Sequence, residues 1–196
     1  MKFITHVLST YGRLLILLIG AISQTTFAAS DQNFDALVSN CIACHGEKGV
    51  STIATQPNLA GQKQAYLAQE LTKFRDGQRI NPLMDAVVKN LSDSQIDALA
   101  SYFAKQTNPK LASTTQNTAG QHVRARCISC HGMQGFTVNK LWPNLAGQQK
   151  IYLAKQLRDF KSGQRNSPTM SVIANELTNQ QIADVAEYFS QQKASR

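Results

Sequence analysis

Two nonapeptides carry most of the chemistry in this chain: CIACHGEKG at 41–49 and CISCHGMQG at 127–135. Each sets two thiols one helical turn apart and a histidine directly after the second. Three chemistries could use such a pair. A four-cysteine zinc site wants its second pair about 15 to 20 residues after the first. Here 82 residues separate Cys44 from Cys127, and zinc leaves both histidines without a role. A thiol–disulfide couple suits an oxidising compartment, but such sites usually adjoin a βαβ pattern, and none precedes either pair. Covalent haem attachment uses every residue: the thiols form thioethers with the two vinyl groups, and the adjacent histidine turns its imidazole to the iron. Cys41, Cys44, Cys127 and Cys130 are therefore read as attachment points for two haem c groups, and His45 and His131 as iron ligands.

The sixth ligand follows by elimination. His122 stands five residues before Cys127, on the proximal side, and its counterpart is Ala36, so it reads as a surface or packing histidine. Met133 is two residues after His131, too close to reach the opposite face. Met84 and Met170 each fall 39 residues after their histidine and two after a proline, in the loops NPLM and SPTM. A lone methionine is usually a core filler, but a matched pair in otherwise different segments reads as axial ligation. His/Met ligation raises the reduction potential and leaves no open position for substrate. The expected activity is electron transfer, not catalysis.

The elements that must position these residues form a repeat. Shifting the chain by 86 residues aligns 41–106 with 127–192 without a gap, with 29 of 66 positions identical. PNLAGQ recurs at 57–62 and 143–148, and GQR at 77–79 and 163–165. Each copy shows two apolar stripes at helical spacing: Tyr66, Leu67, Leu71 and Phe74, then Ile96, Leu99, Ala100 and Phe103, with their counterparts 86 residues on. Ser92 with Gln95, and Thr178 with Gln181, have capping-box spacing, and Gly77 and Gly163 are placed to end the first helix. The polar stretch 107–120 reads as a linker. No strand pattern appears, so the expected fold is all-α: two similar small helical domains in tandem at 29–110 and 111–196, joined by a linker. The segments before the two CxxCH motifs differ, with Phe34 and Leu37 against Gly120 and Val123, which predicts different packing there and two resolvable haem potentials.

Residues 1–28 read as an export signal: Lys2 and Arg13, an apolar run over 14–22, then a small residue, Ala28, at the cleavage site. Nine apolar residues are too few to span a bilayer, which takes about 20. Without Lys2 and Arg13 the formal charge falls from +8 to +6. Residues 29–110 carry eight basic and eight acidic side chains, whereas 111–196 carry ten and four. The excess in the second repeat suits an acidic redox partner or lipid surface. No basic stripe with interleaved aromatics points to nucleic acid. Arg79 and Arg165 could bind haem propionates through the guanidinium fork or stand solvated after a helix, and Trp142, whose counterpart is Gln56, reads as core.

Two CxxCH units with a downstream methionine each, the repeated PNLAGQ and the export signal together resemble the dihaem cytochrome c4 proteins of the bacterial periplasm. The resemblance covers nearly the whole chain after the signal. It implies a soluble or peripherally membrane-associated electron carrier between respiratory-chain donors, such as a quinol–cytochrome c reductase or a dehydrogenase, and a terminal oxidase or reductase. The dihaem subunits of periplasmic flavoprotein dehydrogenases resemble the same family, so that role is the alternative. The resemblance further implies that the carbonyls of Pro57 and Pro143 accept the Nδ1 protons of His45 and His131, orienting each imidazole.

Overall fold

The computed structural model describes residues 25–110, 112–114 and 117–194. The expected export signal, residues 1–28, lies almost wholly outside them. Among the described residues the chain is helical without a strand, matching the all-α expectation. It divides into two compact units, residues 1–37 and 38–196. Described residues of the first unit belong to helix α1 (Thr25–His45). The second unit contains the end of α1 and everything after it, and both CxxCH motifs fall within it.

In the first repeat, α1 is followed by α2 (Gln64–Arg75), α3 (Pro82–Val88) and α4 (Asp93–Ala104). In the second, α5 (Thr118–Val123), a 3-10 turn (Arg124–Arg126) and α6 (Ile128–His131) stand where the first has one helix; α7 (Lys150–Ser162), α8 (Pro168–Asn175) and α9 (Asn179–Ser190) follow. The predicted C-terminal stripes form the two cores. Ile96, Leu99, Ala100 and Phe103 of α4 are 0–3% exposed, and Ile182, Val185, Ala186 and Phe189 of α9 are 0–2% exposed. A core leucine such as Leu99 contributes about 2–5 kcal/mol against alanine. Helix α2 packs on α4, α7 on α9, and α5 also on α9.

Both predicted capping boxes are formed. Ser92 accepts from the Gln95 amide and Thr178 from the Gln181 amide, and each glutamine side chain returns the bond to the cap. Gly163 ends α7 as a left-handed cap at φ 77°, whereas α2 ends one residue earlier, on Asp76, ahead of Gly77. The expected linker is shorter than 107–120, because Thr118 already opens α5, capped by Asn117. It is also attached: the Ser113 amide donates to the Gln191 carbonyl at 2.8 Å, and Ala194 to that of Lys110 at 3.0 Å.

The repeated PNLAGQ segments face each other about a local pseudo-twofold axis. The Gln148 Oε1 accepts from the Asn58 amide (2.7 Å), and the Gln62 Oε1 accepts from that of Asn144 (2.8 Å). Each glutamine Nε2 donates back to the same asparagine's carbonyl, 2.9 Å in both directions. The asparagine Nδ2 groups complete the set, Asn58 to the Gly147 carbonyl and Asn144 to that of Gly61. Within its own repeat each hexapeptide is held by its glycine amide, Gly61 to the Phe103 carbonyl and Gly147 to that of Phe189. One short sequence thus anchors to its own C-terminal helix and to the other repeat.

Candidate haem sites

Each histidine closes the helix that carries its cysteines, and a glycine turns the chain away. Gly46 and Gly132 adopt φ 78° and 79°, and a Cβ on either would come within 2.0–2.2 Å of the carbonyl oxygen of Val50 or Phe136. Only glycine meets both demands. The loop that follows folds back through the Leu59 amide to the Gly49 carbonyl (2.8 Å) and the Leu145 amide to that of Gly135 (2.8 Å). Asn58 and Asn144 brace it by accepting the Ser51 and Thr137 amides. These bonds bring a proline carbonyl beside each imidazole: His45 Nδ1 lies 2.9 Å from the Pro57 oxygen, and His131 Nδ1 3.0 Å from that of Pro143. A carbonyl can only accept, so Nδ1 holds the proton and Nε2 keeps its lone pair.

Burial pushes both imidazoles below their ordinary pKa, against the opposing effect of the proline carbonyls, so each ring is held neutral, the form that ligates iron. No disulfide joins Cys41, Cys44, Cys127 or Cys130 to one another. Burial, with a smaller contribution from Cys44, pushes the Cys41 thiol up to about 11. Cys127 is likewise pushed up to about 11 by burial, despite Arg126. Cys44 is exposed.

Met84 and Met170 lie not in loops but in the first turns of α3 and α8. Proline at the start of each helix and a capping side chain before it explain this. Asn81 Oδ1 accepts from the Met84 amide at 3.2 Å, and Ser167 Oγ from that of Met170 at 3.4 Å. Both methionines are half-buried. Large apolar side chains are exposed close to them in sequence: Ile80 (75%), Leu83 (67%) and Val87 around Met84, and Val172 (61%) beside Met170. Apolar surface of this kind is what a flat hydrophobic macrocycle would cover. Two thiols, a neutral imidazole with Nε2 free, a thioether and apolar surroundings together fit a haem in each repeat.

Trp142 is not core: it is 39% exposed, beside Leu141 at 49%, directly before Pro143. His122 is exposed, a surface histidine. Met133 is also exposed, its sulfur 2.9 Å from Arg124 Nη1.

Arg79 and Arg165 are not solvated. They cross the repeat interface beside the PNLAGQ pair. Arg79 donates to Glu70 Oε2 (2.7 Å), Gln156 Oε1 (2.7 Å) and the Tyr152 hydroxyl (3.2 Å). Arg165 donates to the same Glu70 Oε2 (2.9 Å), the same Gln156 Oε1 (2.7 Å) and the Tyr66 hydroxyl (3.1 Å). Each guanidinium also lies over a phenylalanine of its own repeat, 4.4 Å from the Phe74 centroid and 4.6 Å from that of Phe160. Burial works against the Glu70 carboxylate, but Arg165, Arg79 and Lys73 outweigh it and hold the group below its ordinary pKa. Sequence reading missed this cluster. Its signal was the recurrence of Tyr, Arg and GQR in both copies, with Glu70 and Gln156 at equivalent positions.

The family described as Cytochrome c matches this chain twice, over residues 24–107 and 118–193. A thiosulfate dehydrogenase electron acceptor from Stutzerimonas stutzeri (strain A1501) is 34% identical over 167 residues, 76% of this chain and 77% of that protein. A cytochrome c4 from Pseudomonas aeruginosa is 32% identical over 189 residues, 89% of this chain and 94% of its own length. Among solved structures, reduced recombinant cytochrome c4 from Pseudomonas stutzeri superposes with a TM-score of 0.75 at 29% identity, covering 82% of this chain and 97% of that one.

Proposed function

This chain belongs to the cytochrome c family, within its dihaem cytochrome c4 group, and on that premise we propose that it carries electrons in the periplasm from a reducing respiratory-chain enzyme to a terminal oxidase or reductase. It is an electron-transfer protein, not an enzyme, and carries two covalently attached haem c groups, one per repeat. Bound haem supplies a one-electron couple at its iron.

The chain's own residues hold and tune that couple. Cys41 with Cys44, and Cys127 with Cys130, would attach the groups, and His45 and His131, with Nδ1 tied to a proline carbonyl, would offer Nε2 to the iron. Pro57 and Pro143 fix the two rings and raise their basicity. Met84 and Met170, tethered by the caps of their helices, would hold the iron through their thioether sulfurs, a ligand that favours the reduced iron and raises the potential. The observation that carries this assignment is the paired His–Pro bond, at 2.9 and 3.0 Å in two independent copies.

A dehydrogenase is the donor favoured among the alternatives, because a relative 34% identical over most of its length is named for accepting electrons from one. Mixing the oxidised protein with a periplasmic dehydrogenase, and the reduced protein with bacterial membranes, separates the roles. Rapid reduction by the first and oxidation by the second is the expected result. Stable co-purification with a flavoprotein, with no oxidation by membranes, would move the chain to the role of a dedicated dehydrogenase subunit. Intact mass of periplasmic protein tests the export reading, with a chain starting near Ala29 expected.

A further inference from the structure

The Asn, Gln, Tyr and Arg side chains of PNLAGQ and of the arginine cluster recur 86 residues on, but the group that bridges the two arginines does not. Glu70 in the first repeat is Gln156 in the second, 86 residues on, and both side chains bridge the same two arginines. The side chains of Glu70, Arg79 and Arg165 are only 8%, 11% and 11% exposed. Around Glu70 stand Arg79, Arg165, Tyr66, Tyr152, Gln156 and, at the margin, Lys73, whose Nζ is 2.9 Å from Oε1. Two guanidinium groups, one from each repeat, therefore share a single carboxylate oxygen; among the described residues Glu70 is the one acid hydrogen-bonded to either guanidinium, and Asp159 stands behind Gln156, 3.5 Å from its Nε2. Buried like charges repel strongly when their common counter-charge is lost, because little water is present to screen them.

We propose that Glu70 is a positioning residue that clamps the second repeat onto the first and so sets the separation across which an electron passes between the two haem sites. The PNLAGQ bonds supply geometry but no net charge complementarity. Glu70 alone turns a repulsive arginine pair into an attractive one. The clamp concerns this chain's own residues and stands without the partner assignments. Its consequence for electron passage rests on the two-haem reading.

The test uses the full chain with both haems loaded, as Glu70→Gln and as the double variant Glu70→Gln/Gln156→Glu built with Asp159→Asn, which moves the carboxylate to the facing repeat without setting it against the Asp159 carboxylate that Gln156 Nε2 meets at 3.5 Å. Small-angle scattering reads the disposition of the repeats, and a fast-reduction experiment reads the rate of exchange between haems. In Glu70→Gln the radius of gyration is expected to rise by roughly 2 Å over that of a compact chain this long, with a severalfold slower exchange. In the double variant both should return to wild-type values. A Glu70→Gln protein with unchanged radius and rate would overturn the proposal, as would a double variant that stays open. A changed radius with an unchanged rate would retain the clamp and refute its role in electron passage. Should Glu70→Gln fail to fold, the double variant still decides, since wild-type behaviour is expected of it alone.

Discussion

The two repeats carry the same proposed haem ligands on different N-terminal supports. In the first, α1 runs unbroken into the CxxCH motif, over Thr25–His45. In the second, α5 stops at Val123, a 3-10 turn intervenes, and α6 is four residues long. Gly120 explains the close docking of α5: a Cβ there would lie 2.1 Å from the Asp184 carbonyl oxygen of α9. Asn117 reinforces it by capping α5 through the Gly120 amide and donating to Glu187 at 3.0 Å. The equivalent of Gly120 in the first repeat is Phe34. The comparison teaches that the residues proposed to hold the iron, and the proline carbonyl beside each histidine, recur in both copies, while what supports them has been free to diverge.

The largest effect that sharpens this comparison comes from the cysteines. Cys41→Ala/Cys44→Ala and Cys127→Ala/Cys130→Ala should each lose one of two haems by pyridine haemochrome assay, and the helicity of the affected repeat by circular dichroism. Collapse of both repeats in either variant would break the view that each has its own core. Next come the methionines: Met84→Ala and Met170→Ala should each lower one potential and admit an external ligand at one iron. A redox titration of the parent protein should resolve two potentials, reflecting the unlike supports. A single wave for both haems would make that divergence functionally silent.

Gly120→Ala should destabilise the second repeat by about 2 kcal/mol through overpacking, read as a lower thermal midpoint confined to one of two haem Soret signals. Acid provides a smaller, shared effect. Because the Glu70 carboxyl sits below its ordinary value of 4.5, its contribution is complete above that pH and fades as pH falls through the lower folded value. Thermal melts should show the wild type losing stability in that window and Glu70→Gln losing less. Smallest, and equal in the two repeats, are Ser92→Ala and Thr178→Ala, each costing about 1 kcal/mol for a lost cap. Unequal losses in urea melts would show that the C-terminal helices, too, have diverged.

Much of the fold was legible because it rests on local chemistry. The stripes of α4 and α9, the capping boxes at Ser92 and Thr178 and the attachment motifs each depend on residues within a few positions of one another. The His–Pro bonds were legible only through resemblance, since nothing in the spacing of 45 and 57 dictates which carbonyl meets the ring. The repeat interface was not legible. Asn58, Gln62, Asn144 and Gln148 are polar residues in a loop, which reads as solvent-facing until another loop is found against it. The same reasoning left Arg79 and Arg165 between haem propionates and solvent, because a buried arginine is rare unless paired and its partners lie partly in the other repeat. Trp142 failed in the opposite direction: a large aromatic is usually core, and this one stands exposed beside the proline that holds a haem ligand.

Residues 105–117 join α4 to α5, and Lys110 and Ser113 within this segment are bonded to the end of the second repeat. A tether this short presents the repeats to each other at an effective concentration on the order of millimolar. Their polar contact then need not be tight to stay closed, and dilution cannot open it. Only cutting the tether would expose the true affinity of one half for the other, and the intact chain can afford an interface weak enough to breathe.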